Sequence, residues 1–234
     1  MYLSFRYLTV AVFVCTASLA HAQTQSQSDS MAKRMQACTT CHGAQGITSN
    51  QAYFPRIAGK PAGYLFNQLQ NFKEGRRHYG LMVGMVEHLS DAYLLEMAQY
   101  FANLDVPYSQ PTRLKTPASA ATLQLGKTLA LQGDKTRNLA ACTSCHGAAL
   151  IGVLPNTPAL LGLPRDYLAA QLGAWQTGLR RAHVPDCMGR IAKVLTPSDI
   201  DAVSSWLAAQ PVPAFDKPAA SLPASVQEQC GGAK

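Results

Sequence analysis

Residues 37–43 read ACTTCHG, and residues 141–147 read ACTSCHG. Each stretch contains C-x-x-C-H, in which two thiols lie about one helical turn apart and a histidine follows the second. This spacing is the attachment signature of a c-type haem. A redox C-x-x-C pair or a zinc site does not require a histidine at that position. The duplicated pattern therefore predicts two covalently bound haem c groups, each with an iron ion.

The predicted haem attachment sites are the thiols of Cys38, Cys41, Cys142 and Cys145, and the predicted proximal iron ligands are His42 and His146. In an oxidising compartment the same cysteines could instead form disulfides, and in a reducing one they could bind zinc. Neither alternative explains why a histidine follows the second cysteine both times. Haem attachment is therefore the preferred interpretation.

The similarity between the two halves of the chain extends well past the cysteines. FPRIAGKPAGYLFNQLQNFKEGRR aligns with TPALLGLPRDYLAAQLGAWQTGLRR, and the matching residues lie 103 positions apart: Pro55 and Pro158, Gly59 and Gly162, Tyr64 and Tyr167, Gln68 and Gln171, Leu69 and Leu172. Farther on, LSDAYLLEMAQYFANL aligns with LTPSDIDAVSSWLAAQ at an offset of 106. One domain has therefore been duplicated.

The aligned prolines have a predicted role beside the haem groups. A ligating imidazole usually donates its second N–H to an oxygen atom. Pro55 and Pro158 are the aligned candidates to accept this hydrogen bond through their backbone carbonyls. The alternative is that both are ordinary turn prolines.

The distal iron ligands are predicted from the alignment. A methionine thioether as sixth ligand raises the reduction potential of a haem and fills the position that oxygen or peroxide would need. Met82 lies seven residues before Leu89, and Met188 lies seven before Leu195. Met82 and Met188 are therefore the predicted ligands.

The other methionines and the remaining histidines have different predicted places. Met85 aligns with Ile191 and is expected in the core, as is Met97. His78 and His183 lie in polar, arginine-flanked stretches and are expected at the surface. His88 has no histidine at the matching position of the second half, so it is not expected to bind iron.

The start of the chain has the features of a secretory signal peptide. Arg6 precedes the apolar run LTVAVFVCTASLA, and Ala20-His21-Ala22 fits a cleavage site. Residues 1–22 are therefore predicted to be removed on export to the periplasm. Loss of Arg6 would lower the formal net charge from +7 to +6. This basic balance favours acidic redox-protein partners or an anionic surface, including peripheral membrane association.

The predicted domains are residues 23–111 and residues 112–210, followed by a Pro/Ala-rich tail, residues 211–234. The stretch DVPYSQPTRLKTPASAA reads as the linker between the domains. The tail is expected to be poorly ordered unless something ties it down. Nucleic acid is not expected as a partner, because no stretch interleaves aromatic residues with dense Lys and Arg.

The periodicity predicts helices throughout. Leu65, Leu69 and Phe72 lie on one helix face between Pro61 and Gly75. Ser90 and Asp91 are the candidates to cap a helix that carries Leu94, Leu95, Ala98 and Phe101 on one side, which is expected to face the core. Thr196-Pro197 opens the equivalent helix of the second half. Strands are not expected. Domains this small bury little apolar surface, and a covalently held haem would supply much of the core.

Two cysteines, Cys187 and Cys230, have no counterpart in the first half. An even remainder in an exported protein suggests one disulfide, which would tie the tail against the distal side of the second haem. Cys187 could alternatively bind iron, or both could be free thiols.

With its doubled CTTCHG and CTSCHG, the aligned FPRIAG and TPALLG segments and the M-x-G-M...LSD stretch, the chain resembles the dihaem cytochromes c of the cytochrome c4 type. The resemblance covers residues 31–209. It implies an all-α fold of two tandem cytochrome c domains related by a pseudo-twofold axis. It also implies His/Met iron in each domain, haems near the domain interface and electron carriage in the periplasm.

The expected function is single-electron transfer between a respiratory or dehydrogenase donor and a terminal oxidase or reductase, with no catalytic residues and no small-molecule substrate. One alternative is a dihaem enzyme of the peroxidase or thiosulfate dehydrogenase type, which only Cys187 favours. Another is a fixed cytochrome subunit of a dehydrogenase complex. Arg76-Arg77 and Arg180-Arg181 could contact an acidic partner, neutralise haem propionates or be solvated.

Overall fold

The computed structural model of the chain describes residues 30–47, 54–108, 117–213, 217–222 and 229–233. The predicted signal peptide and the centre of the predicted linker lie outside these residues, so both stay predictions. The described residues form helices and isolated β-bridges, without a β-strand. The all-α prediction is therefore confirmed.

Each half contributes five α-helices to the described part of the chain. The first half contains α1 (Met31–Arg34), α2 (Gln36–His42), α3 (Ala62–Lys73), α4 (Gly80–Val86) and α5 (Asp91–Ala102). The second half contains α6 (Ala120–Leu131), α7 (Thr143–His146), α8 (Arg165–Gln176), α9 (Cys187–Val194) and α10 (Pro197–Ala208). Short 3-10 turns cover Ala44–Gly46, Lys135–Arg137 and Gly231–Ala233.

Helices α3 and α5 begin and end close to the predicted signals. Pro61 precedes α3, and the chain leaves the helix through Gly75, whose φ of 71° suits a residue without a Cβ. The Ser90 hydroxyl accepts a hydrogen bond from the N–H of Tyr93 and caps α5. The prediction for Leu95 is wrong: this residue is 40% exposed, because α5 turns its Leu94 face to the core.

Helix α10 has the strongest cap among the described helices. The Thr196 hydroxyl and the Asp199 carboxylate form a reciprocal capping box, with Pro197 in the first turn. The helix packs closely against α6, where a Cβ at Gly126 would overlap the Ala202 carbonyl. The close approach of α6 and α10 therefore requires a residue without a side chain.

The buried apolar residues of the described chain form two clusters, one in each half. The first cluster contains Met35, Leu65, Phe72, Val86, Leu94, Met97, Ala98 and Phe101. The second contains Leu129, Leu139, Leu150, Leu161, Leu163, Tyr167, Leu168, Leu195, Ile200, Val203, Leu207 and Val212. Each half therefore has its own core, as expected of a duplicated domain.

The two halves meet along an antiparallel β-bridge between Arg77 and Arg180, which lie 103 positions apart. The His78 N–H donates to the Leu179 carbonyl at 2.9 Å, and the Arg181 N–H donates to the Arg76 carbonyl at 2.6 Å. Because equivalent residues meet each other here, the halves are related by a pseudo-twofold axis.

The C-terminal tail is tied to the second half at two described places. Ala219 exchanges backbone hydrogen bonds with Gly152 and Leu154, at 3.0 and 2.8 Å. A disulfide joins Cys187 to Cys230, with their Cα atoms 5.4 Å apart. The disulfide prediction is confirmed, and these parts of the tail are held in place. None of the described helices has the length and apolar character needed to cross a membrane.

Candidate haem sites

The predicted site residues of the first half line one cavity: Cys38, Cys41, His42, Pro55 and Met82. Helix α2 carries both thiols and ends at the histidine, because C-x-x-C-H fits within its last two turns. Helix α4 carries Met82 to the same cavity. The remaining wall includes Leu65, Phe72 and Phe101 from the first core, so the cavity is mainly apolar.

The second half repeats this arrangement around a second cavity, lined by Cys142, Cys145, His146, Pro158 and Met188. The short helix α7 holds the thiols and histidine, and α9 holds the methionine. Leu129, Leu139 and Leu168 contribute apolar walls. The structure thus brings together every predicted site residue of each half, although these residues are distant in sequence.

Each motif histidine is held by the hydrogen bond that the alignment predicts. Nδ1 of His42 lies 2.8 Å from the Pro55 carbonyl oxygen, and Nδ1 of His146 lies 2.8 Å from that of Pro158. Burial lowers the pKa of both imidazoles despite the raising effect of these bonds. Since Nδ1 must carry the proton to donate, Nε2 of the neutral ring keeps a lone pair that can bind iron.

The motif cysteines are free thiols. Burial raises the pKa of the Cys142 thiol to about 11 and also raises the pKa values of Cys38 and Cys145. These three thiols are therefore protonated near neutral pH. No group of three His, Cys, Asp or Glu residues in the described chain could hold a metal ion.

The two methionines of α4 differ in exposure. Met82 is partly buried against the first core, whereas Met85 is 48% exposed. The prediction that Met85 packs in the core is wrong: the residue is partly exposed, and it lines the first cavity beside Met82. Met97 is buried, as predicted.

The remaining histidines lie in different surroundings. His78 is exposed, and the side chain of His88 is 89% exposed. His183 was expected at the surface, but it is partly buried, lines the second cavity and lies 2.9 Å from a guanidinium nitrogen of Arg76. Its neighbour in space belongs to the first half, which the local sequence could not reveal.

The two cavities have a wall in common, formed by Lys60, Tyr64, Gln68, Tyr167, Gln171 and Arg180, which line both. We call these six residues the shared wall. The shared wall includes two of the residue pairs that match in the repeat alignment: Tyr64 with Tyr167, and Gln68 with Gln171. The two cavities are therefore separated by a single layer of side chains that lines both.

Arg77 and Arg180 hold the shared wall together by equivalent contacts. Arg77 donates to the Tyr167 hydroxyl at 3.1 Å and to Gln171 at 2.8 Å. Arg180 donates to the Tyr64 hydroxyl at 3.4 Å and to Gln68 at 2.9 Å. Arg180 is only 4% exposed, so the interpretation of this arginine as solvated charge is wrong.

The role of the shared wall was not predicted from the sequence. Tyr and Gln recurred at matching positions on the inner face of a predicted amphipathic helix, where apolar residues are usual. This recurrence of polar residues was the available signal. It could not show that the two helices face each other, because that contact depends on how the halves pack.

Cys187 is held away from iron chemistry by its disulfide with Cys230. The tail that carries Cys230 also contributes Leu222 and Gly232 to the lining of the second cavity. The alternative in which Cys187 binds iron is therefore wrong. Iron binding by Cys187 was the one sequence feature that favoured a dihaem enzyme.

Apolar cavities, protonated thiols, neutral imidazoles with a free Nε2 and buried cations in the common wall together fit a haem c with anionic propionates. No protein-family model matches the chain. The chain is 40% identical to the thiosulfate dehydrogenase electron acceptor of Thiomonas intermedia, covering 75% of this chain and 79% of that protein. It is 32% identical to cytochrome c4 of Pseudomonas aeruginosa, covering 73% of this chain and 82% of that protein.

The fold is similar to that of a solved member of the same group. The crystal structure of reduced recombinant cytochrome c4 from Pseudomonas stutzeri matches with a TM-score of 0.62 and 31% identity, covering 76% of this chain and 95% of that one. The duplicated fold and the identity over most of both chains lead to one conclusion: this chain belongs to the cytochrome c4 family of dihaem electron-transfer cytochromes.

Proposed function

We propose that each cavity holds one haem c and that the chain carries single electrons between redox proteins of the periplasm. The observation that supports this best is the doubled site. In each half, two thiols, a histidine fixed by a proline carbonyl and a methionine line one apolar cavity. The haem supplies the one-electron ferrous–ferric chemistry, and the protein supplies binding, orientation and electrostatics.

The residues have separate proposed roles. The thiols of each motif form the thioethers, and the histidine binds iron through Nε2. Met82 and Met188 would supply a thioether ligand to each iron, and such a ligand raises the reduction potential and excludes oxygen and peroxide. The carbonyls of Pro55 and Pro158 orient the imidazoles. These roles make each site a carrier of electrons without acid–base catalysis.

The electron donor is proposed to be a thiosulfate-oxidising dehydrogenase. The support is the name of the Thiomonas intermedia relative, thiosulfate dehydrogenase electron acceptor, at 40% identity. Periplasmic location follows from the predicted signal peptide and from the oxidised Cys187–Cys230 pair. The basic net charge would favour docking to an acidic surface.

A redox titration of the purified holoprotein, followed by absorption spectroscopy, tests this proposal. We expect two haem equivalents per chain, two one-electron steps and the near-infrared band of iron–methionine bonding. Ready binding of carbon monoxide by the reduced protein would instead indicate an open iron site and favour the enzyme alternative. Reduction by thiosulfate plus a thiosulfate dehydrogenase, but not by thiosulfate alone, would support the proposed donor.

The fixed-subunit alternative has its own test. A carrier should elute alone from size-exclusion chromatography of a native extract, with a mass near the 25.1 kDa of the full chain or somewhat less after export. Elution with a dehydrogenase at physiological salt would show that the chain is a permanent subunit.

A further inference from the structure

Lys60 is a buried cation without a visible counter-ion. Its side chain lies in the shared wall, lines both cavities and leaves the residue only 5% exposed. Its ammonium forms no hydrogen bond or ion pair with another described residue, and it lies over the Tyr64 ring, 6.0 Å from the ring centroid. A buried ammonium is unfavourable unless an anion pairs with it.

The charges around Lys60 also favour a nearby anion. Burial, opposed by Tyr167 and aided by the positive charges of Arg56, Arg180 and Arg77, lowers the pKa of Lys60 to about 8. No carboxylate contributes to this balance. The apolar cavities on both sides are the remaining places from which an anion could reach the ammonium.

Lys60 also breaks the symmetry of the shared wall. The arginines and the Tyr and Gln pairs of the wall recur in both halves, but the position that matches Lys60 holds Leu163. Lys60 belongs to the first half, yet it lines the cavity of the second half as well as that of its own half.

We propose that Lys60 pairs with a haem carboxylate at the shared wall and raises the reduction potential of the iron that this haem carries. This inference rests on the proposed binding of two haems. Ferric iron carries one more positive charge than ferrous iron, so a nearby cation favours the ferrous state. A single buried lysine at the shared wall would thus make the haem that it pairs with a better electron acceptor.

The test uses the holoprotein with Lys60→Leu, which places at this position the residue that the second half has. We expect a lower reduction potential for at least one of the two irons, with His/Met spectra intact in both. Haem methyl resonances in paramagnetic NMR, assigned with a Met82→Ala variant, identify each iron. Lys60→Arg should restore most of the potential, because it keeps the charge.

Two further variants keep the test decisive. Lys127→Gln removes a lysine charge at an exposed position and should leave both potentials unchanged, because solvent and salt screen it. Lys60→Gln is the neutral variant to measure if Lys60→Leu fails to fold or to bind haem. Unchanged potentials in the neutral variant with two intact haems would overturn the role of Lys60. Absence of haem from the wild-type protein would instead overturn the proposed function.

Discussion

At the scale of single residues, the two methionines of α4 provide a matched pair. Met82→Ala should remove about half of the near-infrared iron–methionine band, because Met82 alone in its half lies at the predicted ligand position. Met85→Ala should leave the band intact and change stability by less than about 0.5 kcal/mol, because Met85 is 48% exposed. Near-infrared absorption of the oxidised protein measures both variants. Loss of the band in Met85→Ala alone would reverse the ligand assignment.

For Met82 and Met85, the sequence predicted the ligand position but not the solvent exposure. The repeat selected Met82 from the two methionines, because the spacing to Leu89 equals that from Met188 to Leu195. It could not place Met85, since exposure depends on which face of a short helix turns outward. Alignment transfers position along the chain but not the solvent exposure of a side chain.

At the scale of elements, the cap of α10 should make stability depend on pH. Burial raises the pKa of Asp199, but hydrogen bonds from Arg137 and Thr196 outweigh burial and hold the pKa below its ordinary value. The carboxylate accepts from Arg137 at 2.6 Å and from the Thr196 N–H at 2.8 Å. The stability that the charged Asp199 carboxylate contributes should be complete above the pKa of an aspartate in the unfolded chain, about 3.9. This stability should be lost as the pH falls through the lower pKa of Asp199 in the folded protein.

Asp199→Asn tests this expectation. It should lower the free energy of unfolding by about 1–3 kcal/mol at pH 7, and by progressively less as the pH falls below about 4. Urea unfolding, followed by circular dichroism at several pH values, gives the free energy of unfolding as a function of pH for the wild type and for Asp199→Asn. Asp201→Asn, at a more exposed ion pair with Arg165, should cost no more than about 1 kcal/mol. Parallel profiles for wild type and Asp199→Asn would contradict the assignment.

The C-terminal tail is the second element with a measurable role. Cys230→Ser opens a disulfide between residues 43 positions apart, and the chain-entropy model gives at most about 4 kcal/mol for such a loop. Since Cys187 begins α9 and Met188 follows it, we expect the second half to lose its iron–methionine band at a lower temperature. The band of the first half, which has no such disulfide, is the internal control. Simultaneous loss of both bands at the wild-type temperature would show that the tail does not hold α9.

At the scale of the whole molecule, two glycines in equivalent helices test the contact between the halves. A Cβ at Gly63 in α3 would overlap the side chain of Asn156 in the second half, whereas Gly173 in α8 has no neighbour within 4 Å of such an atom. Alanine at either position should favour the helix by about 0.5–1 kcal/mol. Gly173→Ala should therefore stabilise the protein, and Gly63→Ala should lose about 1–3 kcal/mol to steric overlap at the interface.

Thermal unfolding and small-angle X-ray scattering measure this difference. Gly63→Ala should lower the melting temperature and increase the radius of gyration, with both haem spectra retained, because neither glycine is among the proposed iron ligands or attachment sites. A rise in melting temperature equal to that of Gly173→Ala would show that α3 and the loop at Asn156 do not touch in solution.

The sequence by itself determined what depends on spacing along the chain. C-x-x-C-H fits at the end of one short helix, so Cys38, Cys41 and His42 face one cavity once that helix forms. The repeat determined the duplicated all-α fold and the proline carbonyls, because equivalent positions in a duplicated domain take equivalent places. Helix α10 was equally readable, since its capping box lies within four consecutive residues.

Only the tertiary structure decided what depends on contacts between distant parts of the chain. The pairing of Cys187 with Cys230 was one of three alternatives until the tail was seen beside α9. Lys60 received no role in the sequence analysis, because its burial requires the second half to close over it. Burial and charge at an interface are set by surfaces that meet only after each half has folded, and no local pattern records which surfaces those are.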